Sequence, residues 1–324
     1  MSTETATSAP VIALLFPGQG SQSVGMGRAL YESSAAARAV FDEADEALGF
    51  ALSTVIFEGP EETLKLTEHT QPAILTVSIA ALRVLEPELA SRGLSVAFAA
   101  GHSLGEYSAN VAAGTLSFAD AVRTVRLRGQ FMQSAVPAGE GAMAAILGLP
   151  AAQIAELCAQ AATENNGVVA PANLNSPEQT VISGSKAAVE LTAELCKQAG
   201  AKRTVMLAVS APFHCALMQP AQESLAGQLQ GIEFHDPSFP VACNVDARLL
   251  TSGAEIRDAL VRQVTGAVRW VECIQLLQHS GATHYIEVGP GKVLCGLNRQ
   301  IDRALLSSNV EDPASLEKTL AALA

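Results

Sequence analysis

The sequence is short of aromatic residues, which make up 4% of its 324 positions and include a single tryptophan. A core of this size must then rest on Ala, Leu and Val, which suits an α/β protein. Charge is sparse as well, at 16%, and it leans acidic: 32 Asp and Glu against 20 Lys and Arg, a net charge of -12. That balance excludes a broad nucleic-acid-binding surface, and an acidic partner would need a local basic patch. None of the six cysteines forms a Cys-x-x-Cys pair or a finger-like spacing with histidine, so neither a zinc site nor a dithiol redox motif is indicated. Cys158 and Cys196 fall in helical patterns and read as small buried side chains. Free thiols without a signal sequence make the cytoplasm the expected compartment. The opening "MSTETATSAP" lacks a basic region followed by an apolar core and reads as a frayed tail over 1–9. Runs such as "VIALLF" and "SVAFAA" are far too short to span a bilayer. There is no long repeat and no low-complexity segment.

What is present is a hydrophobic content of 49% in a chain long enough for one large and one small domain. "VIALLF" (11–16), halted by Pro17, reads as a buried strand running into the loop "PGQGSQSVGMG". After Gly18 and Gly20, position 23 is Ser rather than Gly, and no Gly-Lys-Ser/Thr follows, so both nucleotide-binding fingerprints fail. A loop rich in backbone N–H groups remains, able to hold an anion. Helical patterns follow over 28–48 and 71–86, the second with Pro72 near its first turn. A strand over 94–100, a glycine-flanked turn and a helix over 104–113 come next, and another helix covers 118–134. From about 139 the texture changes. "GAMAAILGL", "AAQIAELCAQAA", "VVAPANLN", "QTVISGS", "AAVELTAELCKQAG" and "KRTVMLAVS" read β-α-β-β-α-β, the order of a ferredoxin-like unit. "FPVACNV" and "THYIEVG" read as strands returning to the main sheet. The expected organisation is a discontinuous α/β domain over 10–137 and 206–310 with an insertion over 138–205.

"AGHSLGEYSA" places Ser103 between Gly101 and Gly105, after an apolar strand and at the start of a helix. Isolated Gly-x-Ser-x-Gly matches are common, but strand, sharp turn and helix together are what a nucleophile elbow requires. The helix N-terminus supplies partial positive charge, and the N–H of Leu104 would face a developing oxyanion. A serine needs a base. Of six histidines, His102 adjoins the serine, His279 and His284 flank a strand start, and His69 and His235 fall in apparently exposed segments. His214, in "SAPFHCALM", follows a strand that should end on the elbow's side of the sheet. No carboxylate between 103 and 214 stands out as a third triad member, neither Asp120 nor Glu106, which counts against an ordinary esterase. Arg123, Arg126 and Arg128 share one helix; one of them could turn inward to hold a carboxylate, and spacing alone does not choose among them.

Taken in order, "FPGQGSQ", "QPAILTVSIAAL", "GHSLGEYSA", "VRLRGQFMQ", "GAMAAILGL", "SAPFHCALM", "NVDA", "ALVRQ" and "EVGPGKVLCGL" resemble the malonyl-CoA:acyl carrier protein transacylase family over roughly residues 11 to 300. The resemblance implies an α/β-hydrolase-like large domain with a ferredoxin-like insertion. It also implies that malonyl passes from malonyl-CoA to the phosphopantetheine thiol of an acyl carrier protein. Carried onto this sequence, Ser103 is the nucleophile and His214 the base. Arg128 holds the malonyl carboxylate, and the amides of Gln19 and Leu104 form the oxyanion hole. Gln263 orients His214 through its backbone carbonyl, so its side chain is expected to matter less. Phe213 before the histidine and Leu104 after the serine both point to malonyl rather than methylmalonyl. A monomer without metal or tightly bound cofactor is implied, free of nucleic acid and membrane. Lys202 and Arg203, with Arg299 behind them, are the candidate docking charges for an acidic carrier. A polyketide malonyl loader, a serine thioesterase or esterase, and a non-catalytic scaffold are the rival readings.

Overall fold

The structure, a computed structural model, describes residues 9–209 and 211–323. Residues 1–8 of the expected tail and Ser210, the last residue of the expected strand 202–210, lie outside them. Two sheets organise the chain. The larger contains β1 (Ile12–Phe16), β2 (Val96–Gly101), β7 (Val241–Ala242), β8 (Leu249–Leu250), β9 (His284–Val288) and β10 (Leu306–Val310), in the order β10-β9-β1-β2-β7-β8. All its pairings are parallel except β7 with β8. The smaller, order β4-β5-β3-β6, is antiparallel and contains β3 (Gly141–Leu147), β4 (Val169–Ser176), β5 (Gln179–Ser185) and β6 (Arg203–Met206).

Every residue of β1 is fully buried, as expected for a central parallel strand covered on both faces. The small sheet packs helices Ala151–Asn165 and Lys186–Gln198 on one side, over a core that includes Ile146, Ile154, Ile182 and Val189. Cys158 and Cys196 are buried in that core. Between β3 and β6 the element order is the β-α-β-β-α-β read from the sequence. Among the described residues no helix is long and apolar enough to cross a membrane.

Several boundaries differ from the sequence reading. The helix expected over 28–48 is two, Arg28–Ser33 and Ala35–Leu48, because Ser34 is extended and its side chain accepts the N–H of Ala37. A local cap here overrides a continuous apolar pattern. The helix expected over 71–86 runs from Thr67 to Ser91 with Pro72 well inside it. Unbroken burial from Thr70 to Leu82 outweighs the N–H that proline lacks. The strand expected over 202–210 ends at Met206, although Leu207 N–H still reaches Met143 O at 2.9 Å. Beyond it Pro212 turns in so tightly that a Cβ on Gly141 would lie 2.4 Å from its ring. "FPVACNV" contributes only Val241 and Ala242, since Asn244 is drawn into the elbow instead of a ladder. Past residue 301, β10 and helix Pro313–Ala322 complete the large layer, with Leu320 in its core.

Candidate active site

The elbow exists because two glycines let backbone meet backbone. A Cβ on Gly101 would lie 1.9 Å from the Gly105 carbonyl, and one on Gly105 would lie 2.1 Å from Phe16 O. Between them Ser103 adopts φ 52°, a left-handed conformation that a side chain rarely takes without compensation. Here its N–H donates to Asn244 Oδ1 at 2.8 Å, while Asn244 Nδ2 donates to Gly101 O at 2.8 Å. Helix Gly105–Ala112 begins at once.

Ser103 Oγ lies 2.7 Å from His214 Nε2. His214 also has positive φ, 60°, and its Nδ1 faces the carbonyl oxygens of Gln263 at 2.9 Å and Gly266 at 3.1 Å. Carbonyls only accept, so Nδ1 carries the proton and Nε2 presents its lone pair to the serine. Burial, then the nearby Arg128 charge, pushes the His214 imidazole down to about 3, which keeps it neutral and able to accept a proton. Among the described residues no carboxylate bonds to this histidine. The two carbonyls occupy the place of a triad acid.

Arg128 is 1% exposed, whereas its helix neighbours take surface roles. Arg123 pairs with Asp120 at 3.2 Å, and Arg126 stacks on the Phe50 ring at 4.3 Å. Arg128 Nη1 donates to Gln71 Oε1 at 2.8 Å, and Nη2 donates to Gln263 Oε1 and to Ser103 Oγ, each at 3.0 Å. A signal for this choice did exist: Ala121, Val125, Arg128 and Met132 form one buried stripe at helical spacing. An arginine in a core stripe calls for an anion.

Gln263 contributes more than its expected backbone carbonyl. Its carbonyl does meet His214, but its side chain is equally committed. Nε2 donates to Glu106 Oε2 at 2.8 Å, Ser103 O at 3.0 Å and Asn244 Oδ1 at 3.2 Å, while Oε1 takes Arg128. Glu106, 1% exposed, also accepts Asn244 N–H at 2.9 Å. Burial pushes its carboxyl up to about 7, against those hydrogen bonds and the Arg128 charge. Gln71, Glu106 and Asn244 were not singled out from sequence as site residues. Asn244 is 141 positions from the serine it braces, and no local spacing reports that.

The remaining sequence candidates fall in three places. Gln19, Leu104 and Phe213 line the same cleft of about 290 Å³ as Ser103, Arg128 and His214. Among the described residues, neither the Gln19 nor the Leu104 N–H donates to a protein acceptor. His102 also lines the cleft, but its Nε2 lies 2.8 Å from Asn175 Oδ1 and its ring rests against Trp270. His69, expected exposed, is half-buried against Phe50. Lys202, Arg203 and Arg299 are exposed and outside the cleft lining, and Lys202 pairs with Glu178 at 3.0 Å. Among the described residues no cluster of His, Cys, Asp or Glu could hold a metal.

An acyl transferase domain model matches residues 13–314. The malonyl CoA-acyl carrier protein transacylase of Bacillus subtilis (strain 168) is 51% identical over 312 residues, 96% of this chain and 97% of its own. Its counterpart from Escherichia coli (strain K12) is 49% identical over 308 residues, 95% of this chain and 98% of its own. Among solved structures, an acyl-carrier-protein S-malonyltransferase from Burkholderia pseudomallei 1710b superposes with TM-score 0.91 at 47% identity, covering 96% of this chain and 99% of that one. A malonyl-transacylase solved with its type II PKS acyl-carrier protein gives TM-score 0.92 at 46% identity, covering 96% and 99%. With the fold and near-full-length likeness in agreement, the chain belongs to the acyl transferase domain family and, within it, to the malonyl-CoA:acyl carrier protein transacylases.

Proposed function

We propose that this protein transfers malonyl from malonyl-CoA to the phosphopantetheine thiol of an acyl carrier protein, through a malonyl ester on Ser103. One observation carries the reading: Ser103 Oγ sits between a neutral imidazole at 2.7 Å and a buried guanidinium at 3.0 Å. The base activates the hydroxyl, and the cation selects an acyl group that ends in a carboxylate. His214 Nε2 takes the Ser103 proton as Oγ attacks the thioester carbonyl carbon. The Gln19 and Leu104 N–H groups receive the oxyanion, a contribution of about 3 kcal/mol per donor in comparable sites. The C–S bond breaks, His214 returns the proton to the CoA sulfur, and malonyl remains on Ser103. The carrier thiol then gives its proton to His214, attacks the ester and leaves as malonyl thioester, restoring the serine. Arg128 holds the carboxylate throughout, with Phe213 shaping the pocket for malonyl; a neutral acyl group would leave the cation without a counter-charge. No resident cofactor enters these steps.

The site is complete within one chain, which supports action as a monomer. Six free cysteines support a cytoplasmic location. The separate parallel and antiparallel sheets support a division into a large domain over 10–137 and 206–310 with an insertion over 138–205, although β6 of the small sheet runs one residue further, to Met206. A fatty-acid carrier is the first reading; the likeness to a transacylase solved with a polyketide carrier supports a polyketide carrier as the second, with identical chemistry. Arg203 and Lys202 are proposed to meet the acidic carrier. Assays of malonyl transfer from malonyl-CoA to purified holo carriers of each kind test the function. Transfer to neither carrier, with release of free malonate instead, would make the protein a hydrolase. Charge reversal of Lys202 and Arg203 should raise KM for the carrier and spare loading from malonyl-CoA; equal effects on both would remove them from docking.

A further inference from the structure

Arg128 does more in this cleft than hold a carboxylate. A guanidinium can grip a carboxylate through two parallel bonds along only two edges, Nη1 with Nη2 or Nε with Nη2. Both edges use Nη2. In this structure both Nη2 protons are spent, one on Gln263 Oε1 and one on Ser103 Oγ. Unspent capacity lies elsewhere: Nε is buried without a partner among the described residues, and Nη1 meets only Gln71. A two-bond grip must therefore displace either Gln263 or Ser103. Gln263 is fixed by three further bonds from Nε2 and does not turn easily. Ser103 Oγ is a single rotor. The serine bond is the one that yields.

We propose that Arg128 restrains the nucleophile before substrate binds, and that the arriving substrate carboxylate releases it by taking Nη2. While the guanidinium donates to Oγ, one serine lone pair is engaged and the oxygen is a weaker nucleophile. The carboxylate removes that bond as it docks, leaving the O–H donated to His214 and the lone pairs free. Discrimination then operates on the acylation step as well as on binding, because an acetyl group enters a cleft whose serine is still held. This rests on the malonyl-transfer reading.

The test compares single-turnover acylation of Ser103 by saturating acetyl-CoA in wild type and Arg128→Met, read by intact mass near pH 8, where His214 is neutral with or without the Arg128 charge. Release of one charge-assisted bond to the nucleophile predicts an acetylation rate constant about tenfold higher in the variant. An equal or lower rate overturns the restraint. A second measurement needs no variant: a wild-type crystal structure with malonate, at a concentration that halves malonyl loading. Malonate on Arg128 with Nη2 beyond about 3.5 Å from Ser103 Oγ, outside hydrogen-bond range, is expected. Malonate bound with the Arg128–Ser103 bond intact refutes the release. Malonyl loading of wild-type Ser103 is scored separately, so loss of the restraint and loss of the transfer reading are distinguishable.

Discussion

Replacing Gln263 by Leu removes a side chain that the site uses four times while leaving its backbone carbonyl on His214. Leu fills a similar volume, so lost hydrogen bonds rather than a cavity dominate the effect. Arg128 Nη2, Glu106 Oε2, Ser103 O and Asn244 Oδ1 each lose one partner. All four retain another polar contact: Arg128 keeps Gln71, Glu106 keeps Asn244 N–H, Asn244 keeps Ser103 N–H, and Ser103 O keeps the Glu106 N–H at 3.1 Å. A lost bond costs about 1 kcal/mol between neutral groups and about 2 kcal/mol at a charged one, so a non-additive total near 4 kcal/mol is expected. Against a typical stability of about 5–15 kcal/mol the variant still folds, with a clearly lowered urea midpoint. In catalysis, Arg128 loses the partner that aligns it, and kcat/KM for malonyl-CoA falls about 10- to 100-fold with much of the loss in KM. The His214 anchor is untouched, so acetyl loading suffers less. Urea unfolding and initial-rate assays with both thioesters measure this. A wild-type midpoint with an unchanged malonyl KM would show that the side chain is idle and only its carbonyl matters.

With His214 held down to about 3, its acid limb in kcat/KM for malonyl-CoA should fall well below the ordinary histidine range of about 6.5. The same depression makes this histidine's contribution to stability fade as pH falls from about 6.5 toward about 3, readable by urea unfolding in wild type and His214→Gln. The opposite sign applies at Glu106, whose carboxyl is raised to about 7: its contribution is full below about 4.5 and is lost as pH rises through 7. Glu106→Gln should therefore gain on wild type by about 2.5 kcal/mol between pH 5 and 8, and a pH-independent difference would contradict that. Gly105→Ala forces a Cβ to within 2.1 Å of Phe16 O, so the elbow cannot close. Thermal unfolding should show a loss of more than about 3 kcal/mol together with lost loading, and a stable, active variant would refute the packing argument.

Much of the fold was legible because its signals are local. The buried run 11–16, the elbow glycines and the alternation of strands and helices from 139 to 206 each announce an element by its own residues. The errors came where a single polar contact or distant packing decided. Ser34 broke a helix through one cap, and burial carried a helix through Pro72. Asn244 left its strand to brace a serine far away in sequence. Ser103 and His214 were legible from strand-turn-helix context and from which strand end they follow. Arg128 lay in an apolar stripe that would have distinguished it from Arg123 and Arg126. Glu106, Gln71 and the Gln263 side chain were not, since their roles exist only where four distant segments converge on one buried guanidinium.

The central claim is that Ser103 carries malonyl between two thiols, and intact-mass spectrometry tests it most directly. Wild-type protein mixed with malonyl-CoA should gain one malonyl group on Ser103, lose it to holo carrier protein faster than to water, and gain none as Ser103→Ala. No adduct in wild type, or an adduct discharged by water alone, would contradict the account.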